Sequence, residues 1–435
     1  MANLQAPLAT NTSASRWILW PIAIALLATA WLVDPFALAA FDAPKSLIAI
    51  TAAVVGASAM PWHANPPEWR RWARPALAIL IAALLAAIGL IVAAATSKQP
   101  ASAGSALSVL GLFALFLPLG ASRGLDGPGG RRLLWVGALA VSVNAVLSLL
   151  QAAGVALPIP MALPGGRFPT GALLGNEGYV ALACALMAAA GLAFALNARQ
   201  GQHRMWAAAL CVLAIAVILV NRQLTSVLAL TAALIAILAV RWRARWIVAI
   251  GATVVLLAAT AALVPALRNL TWAALPVRDV VSYQQHTTYR LGAWAAAIEM
   301  IRERPLFGHG PGSYATQSQK YRLAAEIRLQ ARLTPPPTAN GFVYAHQEYL
   351  QLAAEAGLIT LLAVVAALTT LIAALLRLAR SPGSAEPLAL LAVIITGAVA
   401  ALAWFPMQIP FTAVLLLLAC GRAWRLIADS ERALP

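Results

Sequence analysis

Long apolar runs separated by short polar breaks make up most of the chain. A membrane-spanning helix needs roughly 17–25 predominantly apolar residues, and it satisfies its backbone hydrogen bonds internally. The pattern therefore predicts an all-α polytopic membrane protein with about twelve transmembrane helices. The predicted spans lie near residues 17–33, 44–62, 75–95, 103–120, 133–153, 177–197, 205–221, 223–240, 246–266, 347–376, 386–404 and 409–427.

One long polar interval interrupts the apolar pattern, from about Arg268 to Gly357. It contains helix-forming stretches, aromatic residues and glycine turns, so we expect it to be folded and functional. We predict a helical subdomain between the ninth and tenth spans. The predicted divisions are a tail at 1–16, spans one to nine at 17–267, the subdomain at 268–345, spans ten to twelve at 346–427, and a second tail at 428–435.

Composition excludes a soluble domain, and the charges predict an orientation. Hydrophobic residues make up 62% of the chain and charged residues 10%, against about a quarter in soluble domains. A net charge of +16 would suggest a nucleic-acid partner in a soluble protein, but most arginines here fall in alternate short loops. Cytoplasmic loops of membrane proteins have this excess of basic residues. Both termini are therefore expected in the cytoplasm and the 268–345 interval on the outer side, the periplasm of a Gram-negative cell.

Arginines on the outer side are scarce by the same rule, so those found there are informative. Arg222 lies in a nearly unbroken apolar run, and Arg167 and Arg290 are also on the predicted outer side. An arginine at membrane depth normally faces a protein interior or a cavity. Arg222 is either a fixed cation for an anionic substrate or a side chain that extends to the lipid headgroups.

The sequence favours electrostatic chemistry over metal or nucleotide chemistry. It has no cluster of metal-ligand spacing and no nucleotide-binding glycine loop. Arginine forks suit a diphosphate, and they can stabilise the charge that develops if the diphosphate leaves.

His346 is the best-placed candidate base. It comes just before the tenth predicted span, where the positive end of the helix dipole disfavours imidazolium. A neutral imidazole can take a proton from an attacking hydroxyl. The alternative is that His346 only caps the helix. For His286 and His309 we expect a solvated loop residue or a helix cap.

The outer loop between the fifth and sixth spans is rich in glycine and proline, which predict a defined turn. Asn176 is expected to cap the sixth span. The loop glycines would also let backbone N–H groups approach a ligand closely.

Several motifs together resemble the signature of the O-antigen ligase and polymerase superfamily. In that family an arginine opens a helix, a turn of the form P-(L/F)-x-G-x-G follows, and a histidine followed by x-x-x-L and E-x-G-L begins the next span. Upstream lie D-x-P-K, G-N-x-N and S-R-(G/A) elements. The matching segments are Phe41–Lys45 (FDAPK), Gly175–Gly178 (GNEG), Asn221–Gln223 (NRQ), Thr288–Trp294 (TYRLGAW), Pro305–Tyr314 (PLFGHGPGSY), Ala345–Leu350 (AHQEYL) and Glu355–Leu358 (EAGL). Three positions depart from the pattern: Gly178 replaces the last asparagine, Asn221 replaces serine, and Gln223 replaces a small residue.

The resemblance implies a glycosyltransferase of GT-C-like architecture in the bacterial inner membrane. Such ligases transfer a whole glycan from undecaprenyl diphosphate to a sugar hydroxyl of lipid A–core oligosaccharide in the periplasm, without a metal or other cofactor. Carried onto this chain, His346 would be the base, and Arg290 and Arg222 would bind the diphosphate. The further substrate-binding residues that we assign are Arg167, Asn176, Lys45, Glu348 and Tyr289.

The acceptor stays open within that superfamily. An O-antigen polymerase uses the same donor with a second undecaprenyl-linked glycan as acceptor, and a protein O-oligosaccharyltransferase glycosylates a protein. The length of the outer loop and its position before the last three spans favour the ligase. The alternative from a different class is a transporter or lipid-carrier flippase.

Overall fold

The computed structural model describes residues 12–36, 40–60, 74–157, 170–197, 201–241, 280–333, 342–381 and 385–430. Within these ranges the chain is helical and contains no β-strand, so the all-α prediction is confirmed there. The helices are α1 Thr12–Trp31, α2 Asp42–Ser58, α3 Arg74–Ala95, α4 Pro100–Ala114, α5 Phe116–Gly120, α6 Pro128–Ala152, α7 Glu177–Asn197, α8 Gly201–Val220, α9 Leu224–Arg241, α10 Val280–Glu303, α11 Ser313–Leu329, α12 Glu348–Ala379, α13 Ala385–Ala400 and α14 Pro410–Ser430. Short 3-10 helices lie at Arg123–Leu125, Ala172–Leu174 and Pro406–Gln408.

The described helices coincide with eleven of the twelve predicted spans, and the ninth, at 246–266, lies outside the described residues. Within the described ranges, seven helical segments are long and apolar enough to cross a membrane, and three more are apolar but shorter. These findings support a multi-pass membrane protein. The total of twelve spans stays a prediction.

Helix α3 shows how an apolar helix divides its two faces between protein and lipid. One face packs along α12 through small side chains such as Ala82 and Ala86, which are buried. Small residues let neighbouring membrane helices approach closely. The opposite face is exposed and wholly apolar, a surface that soluble proteins rarely present. Its members, each about half exposed, are Ile81, Leu84, Leu85, Ile88 and Ile91.

Two sets of polar contacts lie at opposite ends of the helix bundle. At one end, Lys45 binds the loop before α7, and the Ser97 hydroxyl donates to the His309 carbonyl at 2.8 Å. At the other end, Arg422 of α14 pairs with Asp126 and Glu386, each at 2.6 Å. The first end collects the loops that the arginine pattern assigns to the outer side. The compartment that each end faces stays a prediction.

Within residues 280–333, the polar interval folds as two helices, α10 and α11, which pack on each other and on the start of α12. A small core joins them, built around Met300, Tyr314 and Tyr321. His309 lies in this core rather than in solvent or at a helix cap, so our expectation for it is wrong. It is 2% exposed, Nε2 lies 3.0 Å from the Met300 carbonyl oxygen, and the ring meets Tyr321 edge-on.

The turn between α10 and α11 packs against a break in α12. Gly357 has φ 82° and ψ 169°, and a Cβ there would lie 2.0 Å from the carbonyl oxygen of Leu306. The break frees helix carbonyls, and the turn supplies their donors: His309 N–H donates to the Ala354 carbonyl, and Gly310 N–H to that of Glu355. The Glu355 carboxylate also accepts the N–H groups at the start of α11. The E-A-G-L motif is therefore a docking site for the P-L-F-G-H-G-P-G turn.

Candidate active site

His346 lies in the short segment that leads into α12, and its backbone is unusual. The N-cap residue of α12 is Gln347, whose side chain accepts the N–H of Leu350. The alternative in which His346 only caps this helix is therefore wrong. His346 has a φ of 54°, in the left-handed region that few non-glycine residues occupy. Among the described residues four non-glycine positions have a positive φ, and His346 and Arg222 are two of them.

Aromatic rings surround the His346 imidazole. Phe405 meets it edge-on with ring centroids 5.1 Å apart, and Trp404 lies at 5.6 Å. Trp404 and Phe405 stack on each other at 4.7 Å, and Tyr344 stacks on Phe405 at 4.6 Å. These rings shield the imidazole from solvent on one side. Its Nδ1 atom is buried and has no hydrogen-bond partner among the described residues.

Burial and a neighbouring positive charge keep His346 neutral. Burial is the larger cause, because it penalises the charged imidazolium form. The Arg290 guanidinium is the second cause, because its charge disfavours a second positive charge on the ring. Together they lower the pKa of His346 from 6.5 to about 4. At neutral pH the ring is therefore an imidazole that can accept a proton.

Arg290 acts on His346 from α10, the long helix of the polar interval. Arg290 is half-buried. Two of the three predicted catalytic residues, Arg290 and His346, are thus brought together although 56 positions separate them along the chain (346 − 290). A histidine beside an arginine can act on a hydroxyl while the arginine holds an anion.

Arg222 occupies the tight turn between α8 and α9 and has a φ of 51°. The preceding residue fixes this turn to the rest of the bundle. Asn221 is 3% exposed, and its amide donates to the Glu177 carbonyl at 3.2 Å and to the Ser148 hydroxyl at 3.3 Å. Arg222 is therefore held at the end of the bundle where α7 begins.

The start of α7 connects this turn to the aromatic group around His346. The Oδ1 atom of Asn176 accepts the N–H of Gly178 at 2.8 Å, so the predicted helix cap is confirmed. A Cβ at Gly178 would lie 2.7 Å from Cζ2 of Trp404, which shows how closely the indole packs on α7. A substrate contact by Asn176 stays a prediction.

Two other predicted substrate-binding residues hold loops that border the site. Lys45 is 1% exposed, donates to the Leu173 carbonyl and lies over the ring of Phe41. The two carboxylate oxygens of Glu348 accept the N–H of Met407 at 3.1 and 3.2 Å. Their contact with substrate stays a prediction. Arg167 lies outside the described residues, and so does the side chain of Tyr289, whose backbone belongs to α10.

Two groups of residues near the site were missed from the sequence. The first is a polar stripe on α6, Asn144, Ser148 and Gln151, whose side chains bind the backbone of residues 170–174. Their i, i+4, i+7 spacing in an apolar helix is a signal that could have revealed them. The second is the stacked pair Trp404 and Phe405, which no local pattern distinguishes from other apolar residues.

Potential metal ligands are dispersed in the part of the chain that the structure describes. No three His, Cys, Asp or Glu side chains there lie close enough together to hold a metal ion. The predicted metal-independent chemistry remains to be tested by experiment.

Comparison with known families connects this geometry to a class of enzyme. Residues 209–365 match the family described as O-antigen ligase. No curated protein matches the chain. The matched segment runs from α8 into α12, so it contains Arg222, Arg290 and His346. The match supports a function of the O-antigen ligase or polymerase type. Through residues 209–365, the chain carries a domain of the O-antigen ligase and polymerase superfamily.

Proposed function

We propose that the protein is an O-antigen ligase of the bacterial inner membrane. It transfers the O-antigen glycan from undecaprenyl diphosphate to a sugar hydroxyl of lipid A–core oligosaccharide, on the periplasmic side and without a metal ion. The observation that carries the proposal is the pairing of a neutral, partly buried His346 with the cation Arg290, inside a segment that matches the O-antigen ligase family.

His346 is the general base in this reaction. The acceptor hydroxyl gives its proton to the imidazole as its oxygen bonds to the anomeric carbon of the donor sugar. The bond between that carbon and the diphosphate oxygen breaks, and undecaprenyl diphosphate leaves with the electron pair. The low pKa of His346 keeps the base ready at neutral pH, and a positioned base of this kind contributes roughly 10²–10⁴-fold in rate.

Arg290 and Arg222 stabilise the leaving diphosphate. A guanidinium stays protonated and presents a planar fork of donors that fits phosphate oxygens. Because Arg290 also lowers the pKa of His346, one cation has two effects: it keeps the base neutral before the reaction, and it attracts the leaving anion. Loss of such a contact in a shielded site costs on the order of 10²–10³ in rate.

The test combines a deletion strain with transfer by the purified protein. Deletion should remove the whole lipopolysaccharide ladder and leave donor glycan to accumulate. A single repeat unit on the core would instead identify a polymerase. Purified protein supplied with both lipid substrates should transfer glycan in excess chelator, and loss of activity that magnesium or manganese restores would contradict the metal-independent mechanism.

Substitutions at three positions assign the roles in that assay. His346→Asn should lower transfer by roughly 10²–10⁴-fold and leave donor binding nearly intact. Arg222→Lys should retain part of the activity that Arg222→Ala loses, because lysine keeps the charge without the fork. Arg302→Ala is the matched control, since Arg302 lies in α10 but pairs with Glu299 at 2.9 Å. Near-normal turnover by His346→Asn would remove the histidine from the mechanism.

A further inference from the structure

Trp404 brings an unused hydrogen-bond donor to the site. It lies in the turn after α13, stacked on Phe405 with the ring planes 15° apart, and its ring contacts that of His346. Its indole Nε1 atom is buried and has no hydrogen-bond partner among the described residues. Buried indole N–H groups usually have a partner, so an unpaired one beside a candidate base indicates a ligand contact.

The position of Trp404 depends on the absence of a side chain at Gly178. Gly178 stands where the related motif has its last asparagine. A Cβ at position 178 would lie 2.7 Å from Cζ2 and 3.3 Å from Cη2 of the indole, so a side chain there and the Trp404 ring cannot share the space. Glycine at 178 therefore lets the indole occupy the place that an asparagine side chain would take.

The two unpaired atoms have complementary requirements. The indole Nε1–H can only donate, whereas Nδ1 of a neutral imidazole with its proton on Nε2 can only accept. The centroids of the two rings are 5.6 Å apart, which brings the two nitrogen atoms into the same part of the site. A hydroxyl is a chemical group that accepts one hydrogen bond while it donates another.

We propose that Trp404 is a substrate-binding residue that positions the acceptor sugar: its Nε1–H donates to the attacking hydroxyl while that hydroxyl donates to His346. The proposal rests on the proposed function and adds the residue that selects the acceptor. One lone pair of the hydroxyl oxygen binds the indole, the proton points to the base, and the other lone pair is free to attack.

The decisive variant is Trp404→Phe, which keeps an aromatic ring on Phe405 and removes the N–H. We expect the KM for the lipid A–core acceptor to rise about three- to tenfold, the effect of one neutral hydrogen bond, with the donor KM unchanged. Trp135→Phe is the control, because it also removes an indole N–H, from a half-exposed tryptophan near the start of α6. It should leave both KM values unchanged.

A second pair of variants tests the space shared with position 178. Trp404→Ala alone should weaken acceptor use more than Trp404→Phe does. Adding Gly178→Asn to the Trp404→Ala variant places an amide donor in the space that the indole leaves, and this should restore part of the acceptor affinity. An unchanged acceptor KM in Trp404→Phe, or an equal rise for donor and acceptor together with a lower melting temperature, would overturn the proposal.

Binding of free core oligosaccharide, released from lipid A by mild acid, separates this inference from the proposed function. The wild-type protein should bind it about three- to tenfold more tightly than Trp404→Phe does, whether or not glycan is transferred. Equal binding by the two proteins contradicts the acceptor contact of Trp404 and leaves the proposed ligase function untouched. Absence of transfer by the wild-type protein, with the binding difference present, contradicts the ligase reaction and retains the acceptor contact.

Discussion

Replacement of Arg290 by glutamine should move the titration of His346 toward neutral pH. The wild-type pKa of about 4 has two causes, burial first and the Arg290 charge second. Glutamine removes the charge and leaves the burial, so the pKa should rise but stay below 6.5. At pH 6 a ring with a pKa of about 4 is about 99% neutral, whereas a ring with the ordinary value is only about a quarter neutral.

The sign of the pH effect follows from which form of His346 is active. A base must be neutral, so transfer is retained above the pKa of His346 and lost as the pH falls through it. The wild-type rate should therefore fall with a midpoint near pH 4, and that of Arg290→Gln with a midpoint at a higher pH. Because Arg290→Gln also lowers the absolute rate, the midpoint of the normalised profile is the quantity to compare.

Chemical modification gives the same pKa without turnover. Diethyl pyrocarbonate reacts with neutral imidazole, and peptide mapping separates His346 from the other four histidines. The modification rate should have its midpoint near pH 4 in the wild type and higher in Arg290→Gln. Arg302→Gln, a substitution in the same helix at a residue paired with Glu299, should leave it unchanged. A wild-type midpoint near 6.5, or no rise in Arg290→Gln, would refute the electrostatic reasoning.

Two further predictions concern the fold. Gly357→Ala should destabilise the protein by about 2 kcal/mol or more and lower transfer, because φ is 82° and the new Cβ would clash with the Leu306 carbonyl. A thermal melting experiment measures the change in stability, and Gly111→Ala is the control because there is open space around Gly111. In a protein freed of its native cysteines, a cysteine replacing exposed Lys320 should be labelled from the periplasm and one replacing exposed Arg131 should not. Reversed labelling would overturn the orientation.

Hydropathy predicted the described helices well, because a helix in lipid must form all of its backbone hydrogen bonds within itself. This requirement involves only residues close together in the sequence. The break at Gly357 did not follow from hydropathy, since it depends on a turn about 50 residues earlier in the chain that docks there. His309 was misplaced for a similar reason. Its position in a polar turn suggested a solvated residue or a helix cap, but the packing of α10 on α11 buries it.

The candidate site likewise contains residues that the sequence could predict and residues that only the folded structure shows. The arginines and His346 could be identified because charges are rare in this chain and follow a motif order. Trp404 and Phe405 could not, since the chain has 14 tryptophans and 10 phenylalanines, and only the folded structure shows which of them reach His346. The polar stripe on α6 could be predicted in part, because its spacing can be read from the sequence but the loop that it binds cannot.

A continuous hydrogen-bonded chain connects the segment that carries His346 to the helices of the polar interval. The N–H of Ala345, next to His346, donates to Gln351 Oε1 at 3.0 Å, and Gln351 Nε2 donates to Glu355 Oε1 at 3.4 Å. The Glu355 carboxylate in turn accepts the N–H groups of Gly312 and Tyr314 at 3.0 and 3.2 Å.

This chain explains how a left-handed backbone is maintained at His346. Such a conformation costs of order 1–3 kcal/mol in a non-glycine residue and persists where its surroundings determine it. Here Gln351 holds the residue before His346, and the Gln347 cap holds the residue after it. The Tyr314 hydroxyl extends the connection by donating to the Ala293 carbonyl at 2.8 Å, in the helix that carries Arg290. The proposed base and the proposed diphosphate-binding cation are therefore fixed relative to each other before substrate arrives, the arrangement that lets electrostatic stabilisation act without reorganisation.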